Sequence, residues 1–360
     1  MRKIKIIMLL GILYFALNFL FGSLLGEFGY EVPDYSFDFF NEMNETIVND
    51  VDNYTFYDVL FFPNQTSSDK LINYIVNGTN VKCVFYDIDD YFIELLINQS
   101  NNYTNLEILS YLPNKKHLDM LEYQYDPDDY YTISSDNIDI SVQYIDKSYG
   151  LMHNKFCIVD NKYILTGSMN PTYNGLNRND NNMIVIDSSK LVDNYNDEFN
   201  ELKYDKDNAK VQNKEIILCN DECFVIENFF CPEDKCESNV IQEINKANQS
   251  IVFYTFSFTS KNIADALILK AQEINIKGIF EKRQNSQYSV MDYIDGYVNV
   301  SFDKNKYTMH HKVFVIDDTV IMGSFNPTNN GNKNNDENIL IIHNKEIADL
   351  YRNEFEKLHE

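Results

Sequence analysis

Two copies of one pattern of reactive residues stand out in this 360-residue chain. In each copy a His precedes a Lys by two positions, and an Asp follows the Lys after four intervening residues. A Gly-Ser-x-Asn-Pro-Thr segment comes about a dozen residues past the Lys. The first copy contains His153, Lys155, Asp160, Ser168 and Asn170. The second copy contains His310, Lys312, Asp317, Ser324 and Asn326.

Two such copies facing each other suit the chemistry of a phosphate diester. The lysines and amides would bind the non-bridging oxygens and neutralise their charge. One His would attack phosphorus to give a covalent phosphohistidine, and the other would protonate the leaving oxygen and then activate water. This scheme requires no metal ion and no cofactor.

The apolar runs at 156–159 and 313–316 predict buried strands that position these residues. Side chains alternate between the faces of a strand, so a His and a Lys two positions apart point the same way. In the second copy two histidines compete for this role. The spacing to Lys312 selects His310, whereas His311 would point to the opposite face and is interpreted as structural.

The duplication extends over both halves of the chain. Three pairs of residues lie 156 positions apart, namely Ser168 and Ser324, Tyr195 and Tyr351, and Phe199 and Phe355. A constant offset over a whole half indicates an internal repeat. Each half alternates strand-like and helix-like segments, which predicts an α/β layer structure with parallel or mixed sheets. The first half also carries an acidic, Tyr-rich segment at 123–131, predicted as a surface loop near the mouth of the site.

The paired pattern, its trailing segment and the duplicated surroundings resemble the phospholipase D superfamily over roughly residues 57–360. The resemblance implies two tandem phospholipase D-like α/β repeats, 57–205 and 206–360, with mixed sheets packed around one shared active site. A monomer would therefore contain a complete site. The catalytic residues would be His153, His310, Lys155, Lys312, Asn170 and Asn326. Ser168 and Ser324 would bind substrate, while Asp160 and Asp317 would mainly brace the structure.

Members of this superfamily also tend to have an acidic residue about 14 positions after the motif Gly, which orients a His. Glu337 occupies this place in the second copy, and it completes the expected catalytic set. The first copy has Asn181 instead. An Asn can fix a tautomer but cannot stabilise an imidazolium, so we expect the two histidines to differ in basicity. The resemblance places the nucleophile on His153.

The N-terminal segment predicts a membrane anchor. Residues 6–25 form an apolar run that matches the length of a spanning helix, preceded by Arg2, Lys3 and Lys5. The positive-inside rule then gives a single-pass protein with residues 1–25 as anchor, 26–56 as connector and the catalytic body outside the cytoplasm. A cleaved signal peptide and a secreted body are the alternative.

The cysteines fall into two groups. A cluster of four within 18 residues predicts one or two disulfides in an oxidising compartment, with a structural zinc site as the alternative; its members are Cys219, Cys223, Cys231 and Cys236. The sequence does not determine their pairing. Cys83 and Cys157 stand in apolar strand-like runs and are expected to be buried thiols.

Charge bears on the class of substrate. The net charge of −25 has the wrong sign for a protein that coats nucleic acid. Four basic residues near the second pattern would form either a local basic rim or a solvated surface: Lys282, Arg283, Lys304 and Lys306.

The leading hypothesis is a membrane-anchored phosphodiesterase that hydrolyses phospholipid head-group bonds. An endonuclease of the same superfamily and an inactive phosphate-binding surface module are the alternatives.

Overall fold

The two halves of the chain each contribute one large sheet. The computed structural model describes residues 51–54, 57–111, 130–204, 214–220 and 222–359. The predicted anchor and most of the Tyr-rich segment at 123–131 lie outside these ranges. Within them, no helix is both long and apolar enough to cross a membrane.

The first sheet has eight strands in the order β2-β9-β8-β7-β3-β4-β6-β5. Its strands are β2 (Tyr57–Phe62), β3 (Asn80–Phe85), β4 (Thr104–Tyr111), β5 (Tyr130–Ser134), β6 (Ile138–Ile145), β7 (Lys155–Val159), β8 (Tyr163–Gly167) and β9 (Asn181–Asp187). The helices of this half are α1 (Gln65–Val76), α2 (Asp90–Gln99), α3 (Tyr173–Asn177) and α4 (Ser189–Tyr204).

The second sheet has nine strands in the order β1-β10-β11-β17-β16-β15-β12-β13-β14. Its strands are β1 (Val51–Asn53), β10 (Glu215–Cys219), β11 (Cys223–Cys231), β12 (Ser250–Thr255), β13 (Asn275–Phe280), β14 (Asn299–Phe302), β15 (Lys312–Ile316), β16 (Thr319–Gly323) and β17 (Glu337–His343). The helices are α5 (Cys236–Lys246), α6 (Lys261–Lys270), α7 (Met291–Ile294), α8 (Asn329–Lys333) and α9 (Lys345–His359), with a 3₁₀ turn at Lys282–Gln284.

Seven strands follow the same spatial order in both sheets. The order β2-β9-β8-β7-β3-β4-β6 in the first half corresponds to β11-β17-β16-β15-β12-β13-β14 in the second. Both sheets are mixed, because β3 pairs parallel with β4 and antiparallel with β7, and β12 pairs with β13 and β15 in the same way. The predicted α/β class with two mixed sheets is confirmed.

The boundary segments differ from the prediction. Residues 51–53 lie within the predicted connector at 26–56, yet they form β1 and pair with β10 of the second sheet. The strand β10, Glu215–Cys219, lies within the second predicted repeat. Its alternating buried positions, Ile216 and Leu218, face the core and explain why it forms a strand.

A shared apolar core joins the halves. It contains residues from both sheets together with the buried faces of α4 and α9, where Tyr195, Phe199, Tyr351 and Phe355 recur at a spacing of four. Each sheet buries its other face against the outer helices of its own half. The strands β7 and β15, which carry the repeated pattern, therefore lie at the centre of the molecule.

The disulfides differ from the prediction for Cys83 and Cys157 and agree with it for the cluster of four cysteines. Cys83 and Cys157 are buried as predicted, but they are bonded to each other. They are direct partners in the antiparallel pairing of β3 with β7, which brings their Cα atoms to 4.1 Å. The cysteine cluster forms two further disulfides, Cys219–Cys223 and Cys231–Cys236, in place of a zinc site.

Candidate active site

Each half positions the reactive His of the other half. The His153 backbone N–H donates to the carbonyl of Asp336 at 3.0 Å, and the His310 N–H donates to the carbonyl of Asp180 at 2.8 Å. Short parallel bridges reinforce both contacts, at Met152 with Asp336 and at Asp180 with Met309. The two histidines are therefore fixed by packing between the halves, immediately before β7 and β15.

Both histidines open onto one cavity of about 1110 Å³, which Asn170 and Asn326 also line. His153 is 6% exposed. The Oδ1 atoms of the two asparagines are buried and have no hydrogen-bond partner among the described residues. Buried polar atoms are normally paired, so these two unpaired oxygens are unusual and mark the two asparagines as residues of the site.

The residues behind the two imidazoles differ. His153 Nδ1 lies 2.7 Å from Oε2 of Glu337, and His310 Nδ1 lies 2.9 Å from Oδ1 of Asn181. Both contacts cross between the halves. In each ring Nδ1 is thus occupied by its partner, which assigns reaction chemistry to Nε2.

Burial governs the protonation of these groups. It lowers the pKa of His153 well below its usual value, and the charges of Lys155 and Lys312 lower that pKa further. Burial also raises the pKa of Glu337 to about 7, against the opposing charge of Lys155. Each partner favours its uncharged form, so the pair shares one proton between Nδ1 and Oε2 near neutral pH. The pKa of His310 is likewise lowered by burial and then by Lys312, and Asn181 has no charge to offset this.

The motif lysines lie beneath the histidines. Lys155 Nζ donates to the carbonyl of His153 at 2.6 Å, and Lys312 Nζ donates to that of His310 at 2.8 Å. Burial lowers the pKa of Lys155 to about 7 and that of Lys312 well below its usual value. A phosphate anion in the cavity would favour the protonated lysines and raise these pKa values again.

The motif serines stand behind the histidine partners rather than on the cavity wall. Ser168 Oγ donates to Oδ1 of Asn181 at 3.1 Å, and Ser324 forms a side-chain hydrogen bond with Glu337. Both serines are fully buried, and neither is among the described residues that line the cavity. This placement differs from the expected contact with substrate and makes them positioning residues.

The two motif aspartates lie at the far end of the strands. Asp160 Oδ1 accepts hydrogen bonds from the backbone N–H groups of residues 79 and 80 at 2.8 and 2.9 Å. Asp317 accepts three, from residues 248, 249 and 250, at 2.7 to 3.0 Å. Each Asp has a positive φ and ties the turn after its strand to the start of the neighbouring strand.

His311 and the neighbouring basic residues point elsewhere. His311 is fully buried, with Nδ1 2.7 Å from the Asn182 amide and its ring against Tyr254. Arg283 donates to Thr308 and to the Lys306 carbonyl. Among the described residues that line the cavity, none of the four predicted rim residues occurs.

Two aromatic residues complete the site and were not predicted from the sequence. The Tyr86 ring centroid lies 4.9 Å from that of His153, and the Phe256 centroid lies 4.7 Å from that of His310. Lys155 Nζ and Lys312 Nζ sit 5.3 and 5.1 Å from the same two rings. Tyr86 and Phe256 directly follow the equivalent strands β3 and β12, so an alignment of the two halves would have paired them.

A family comparison identifies this arrangement. The family described as cardiolipin synthase, PLD-like domain, matches residues 51–203 and 240–359. The chain belongs to the phospholipase D superfamily. The resemblance seen in the repeated pattern is thereby confirmed.

Named relatives of this phospholipase D superfamily member match it over about a third of its length. A phospholipase D of Rickettsia bellii is 31% identical over 126 residues, which are 34% of this chain and 63% of the relative. A mitochondrial cardiolipin hydrolase of Xenopus tropicalis is 30% identical over 135 residues, 36% of this chain and 64% of the relative. The matched regions span less than two thirds of either relative.

A solved structure matches the whole fold. Phosphatidylserine synthase of Haemophilus influenzae Rd KW20 superimposes with a TM-score of 0.58, covering 88% of this chain and 89% of that one. The two sequences are 12% identical, so the likeness establishes the fold alone.

Proposed function

We propose that this protein is a phosphodiester hydrolase that cleaves phospholipid head-group bonds through a covalent phosphohistidine on His153, without a metal ion. The carrying observation is the convergence of His153 and His310 on one cavity, with a carboxylate behind His153 alone. When imidazole nitrogen attacks phosphorus, the ring becomes cationic. Glu337 can stabilise that charge or accept the Nδ1 proton, and Asn181 cannot.

The first half-reaction exchanges one bond at phosphorus for another. Nε2 of His153 forms the P–N bond while the bond to the leaving alcohol breaks, and Nε2–H of protonated His310 transfers its proton to the leaving oxygen. Burial lowers the pKa of His310 most, and the charges of Lys312 and Lys155 lower it further. The negative charge of a bound substrate offsets those two lysine charges. Substrate binding therefore favours the protonated form that this step needs.

The second half-reaction restores the enzyme. Neutral His310 removes a proton from water, the water oxygen attacks phosphorus, and the P–N bond breaks to release a phosphate monoester and His153. Lys155 and Lys312 balance the charge on the non-bridging oxygens in both steps, from buried positions in which a lower dielectric constant strengthens each interaction.

The choice of a lipid substrate rests on relatives and on charge. Rickettsial and amphibian relatives bear the names phospholipase D and mitochondrial cardiolipin hydrolase. A net charge of −25 opposes a long polyanionic substrate. An anchor at residues 1–25 would hold the body beside a membrane, outside the cytoplasm; this part of the proposal rests on the N-terminal apolar run.

Trapping with a lysophospholipid diester labelled in its phosphoryl group tests the mechanism. The reaction is quenched in a mildly alkaline denaturant, because the P–N bond of phosphohistidine is cleaved by acid and stable in base. We expect labelled wild-type protein, no label on His153→Ala, and an accumulated label on His310→Ala when the leaving group is p-nitrophenol, which needs no proton. EDTA should leave turnover intact. Label on His153→Ala, or EDTA inhibition reversed by a divalent ion, would overturn the mechanism, and cleavage of single-stranded DNA without any phospholipid turnover would overturn the lipid assignment.

A further inference from the structure

The cavity extends from the two histidines into a groove built by the second half of the chain. Apart from Tyr86, Leu151, His153 and Asn170, all the described residues that line it belong to that half. The groove thus lies on the side of His310, the residue proposed to protonate the leaving oxygen. A group bound there would be the alcohol that leaves, which is the head group.

Neutral hydrogen-bonding groups dominate the groove. Five of its hydroxyl and amide side chains make no hydrogen bond to the described part of the protein: Ser257, Thr259, Gln284, Gln287 and Asn329. Hydroxyl and amide groups both donate and accept, so they match the hydroxyls of a polyol. Lys261 is the only Lys or Arg among the described lining residues, which provides too little charge for a polyanion.

Three of the four aromatic rings among the described lining residues already have a lysine ammonium beside them, which disfavours a cationic head group at those rings. Quaternary ammonium groups are held over the faces of aromatic rings. Here the Tyr293 ring already has the Lys261 ammonium 5.8 Å from its centroid, and Phe256 and Tyr86 have the motif lysines at similar distances. A second cation placed at these rings would be repelled.

Tyr288 offers a different contact. It lines the groove, it is 71% exposed, and no lysine or arginine stacks on its ring among the described residues. An exposed phenol ring can stack on the C–H face of a flat, saturated ring while its hydroxyl and the nearby amides bind hydroxyl groups.

We infer that this groove binds an uncharged, polyhydroxylated ring, inositol or a sugar, as the head group of the cleaved phosphodiester. This inference rests on the proposed function, because it identifies the leaving alcohol of the same site. Tyr288 and Gln287 are then the specificity-determining residues.

Head-group selectivity of the full chain in mixed micelles tests the inference. We expect kcat/KM for phosphatidylinositol to exceed that for phosphatidylcholine and phosphatidylethanolamine by at least about tenfold, the effect of one or two hydrogen bonds. Tyr288→Ala and Gln287→Ala should each lower that preference about fivefold. Tyr297→Ala, which removes a similarly exposed tyrosine that is not among the described lining residues, should leave that preference unchanged. Equal or faster release of choline would overturn the inference.

Two measurements separate this inference from the proposed function. Bis(p-nitrophenyl) phosphate has no head group, and failure to hydrolyse it would overturn the proposed hydrolase activity itself. Calorimetric binding of glycerophosphoinositol and glycerophosphocholine to His153→Ala, which lacks the proposed nucleophile, then tests the groove without catalysis. We expect the inositol diester to bind at least about tenfold more tightly and Tyr288→Ala to reduce that difference; equal affinities would refute the groove assignment.

Discussion

Replacing Glu337 by Gln tests the central asymmetry of the site. Glu337 is fully buried, and its Oε2 lies 2.7 Å from Nδ1 of His153. The change keeps the shape and a hydrogen-bonding group but removes the negative charge. His153 would then have an amide partner, as His310 has in Asn181.

The size of the effect follows from the burial of the pair. A net hydrogen bond to a charged group contributes about 1.5–3 kcal/mol, and one between neutral groups about 0.5–1.5 kcal/mol. The difference, about 1–2 kcal/mol of stabilisation of the cationic phosphohistidine, corresponds to a loss of about 5- to 30-fold in kcat/KM. Solvent screening of the pair is small, because the side chain of Glu337 is fully buried and that of His153 is only 8% exposed.

The pH profile supplies a second and more specific readout. The pKa of Glu337 is raised to about 7 by burial, so the carboxylate that the step requires is present above that pH and lost below it. Wild-type kcat/KM for bis(p-nitrophenyl) phosphate should therefore fall as the pH drops through about 7. In Glu337→Gln this acidic limb should disappear, leaving a lower and flatter profile.

Asn181→Asp provides the matched control, and thermal unfolding checks that each variant folds. Added to Glu337→Gln, it introduces a carboxylate at the position 2.9 Å from His310 rather than beside His153, and it should not restore kcat/KM. A Glu337→Gln enzyme within twofold of wild type, or full rescue by Asn181→Asp, would refute the assignment of Glu337 to His153.

Three further predictions concern stability. Burial raises the pKa of Glu198 well above 4.5, so the folded protein holds a proton there that the unfolded chain releases, and wild-type stability falls as pH rises above 4.5. Glu198→Gln should therefore raise the melting temperature more at pH 8 than at pH 5. An equal shift at both pH values would contradict this. Asp317→Ala removes three hydrogen bonds from backbone N–H groups, and Asp160→Ala removes two. The free energy of unfolding in urea should therefore fall by about 3 kcal/mol and about 2 kcal/mol, respectively. Decreases below about 0.5 kcal/mol would refute the bracing role. The Cys83–Cys157 disulfide joins residues 74 positions apart. Replacing both cysteines by Ala should lower the free energy of unfolding by about 4 kcal/mol in the same assay. If a reductant leaves the unfolding of the wild-type protein unchanged, the stabilising role of this disulfide is refuted.

The asymmetry has a consequence for the reaction. Two halves with the same strand order present two similar imidazoles, yet one carboxylate serves only one of them. Under the proposed mechanism this difference assigns separate roles to the two histidines: His153 would carry the phosphoryl group and His310 would move protons.

The sequence by itself determined the repeated chemistry and the type of fold. Strand alternation and spacing to Lys312 selected His310 over His311, and the structure places His310 on the cavity and His311 in the core. The apolar runs predicted β7 and β15, and the constant offset of 156 residues predicted two halves of similar build. These inferences succeed because they depend on residues close together in the chain.

Only the tertiary structure decided which residues meet. The pairing of His153 with Glu337 spans 184 residues and that of His310 with Asn181 spans 129, and each crosses between the halves. The Cys83–Cys157 bond likewise depends on the register of two strands far apart in the chain. Local patterns carry no information about such register or about the packing of one sheet on the other. The repeated pattern therefore fixed the reactive groups, and the packing of the two halves decided which histidine has the carboxylate.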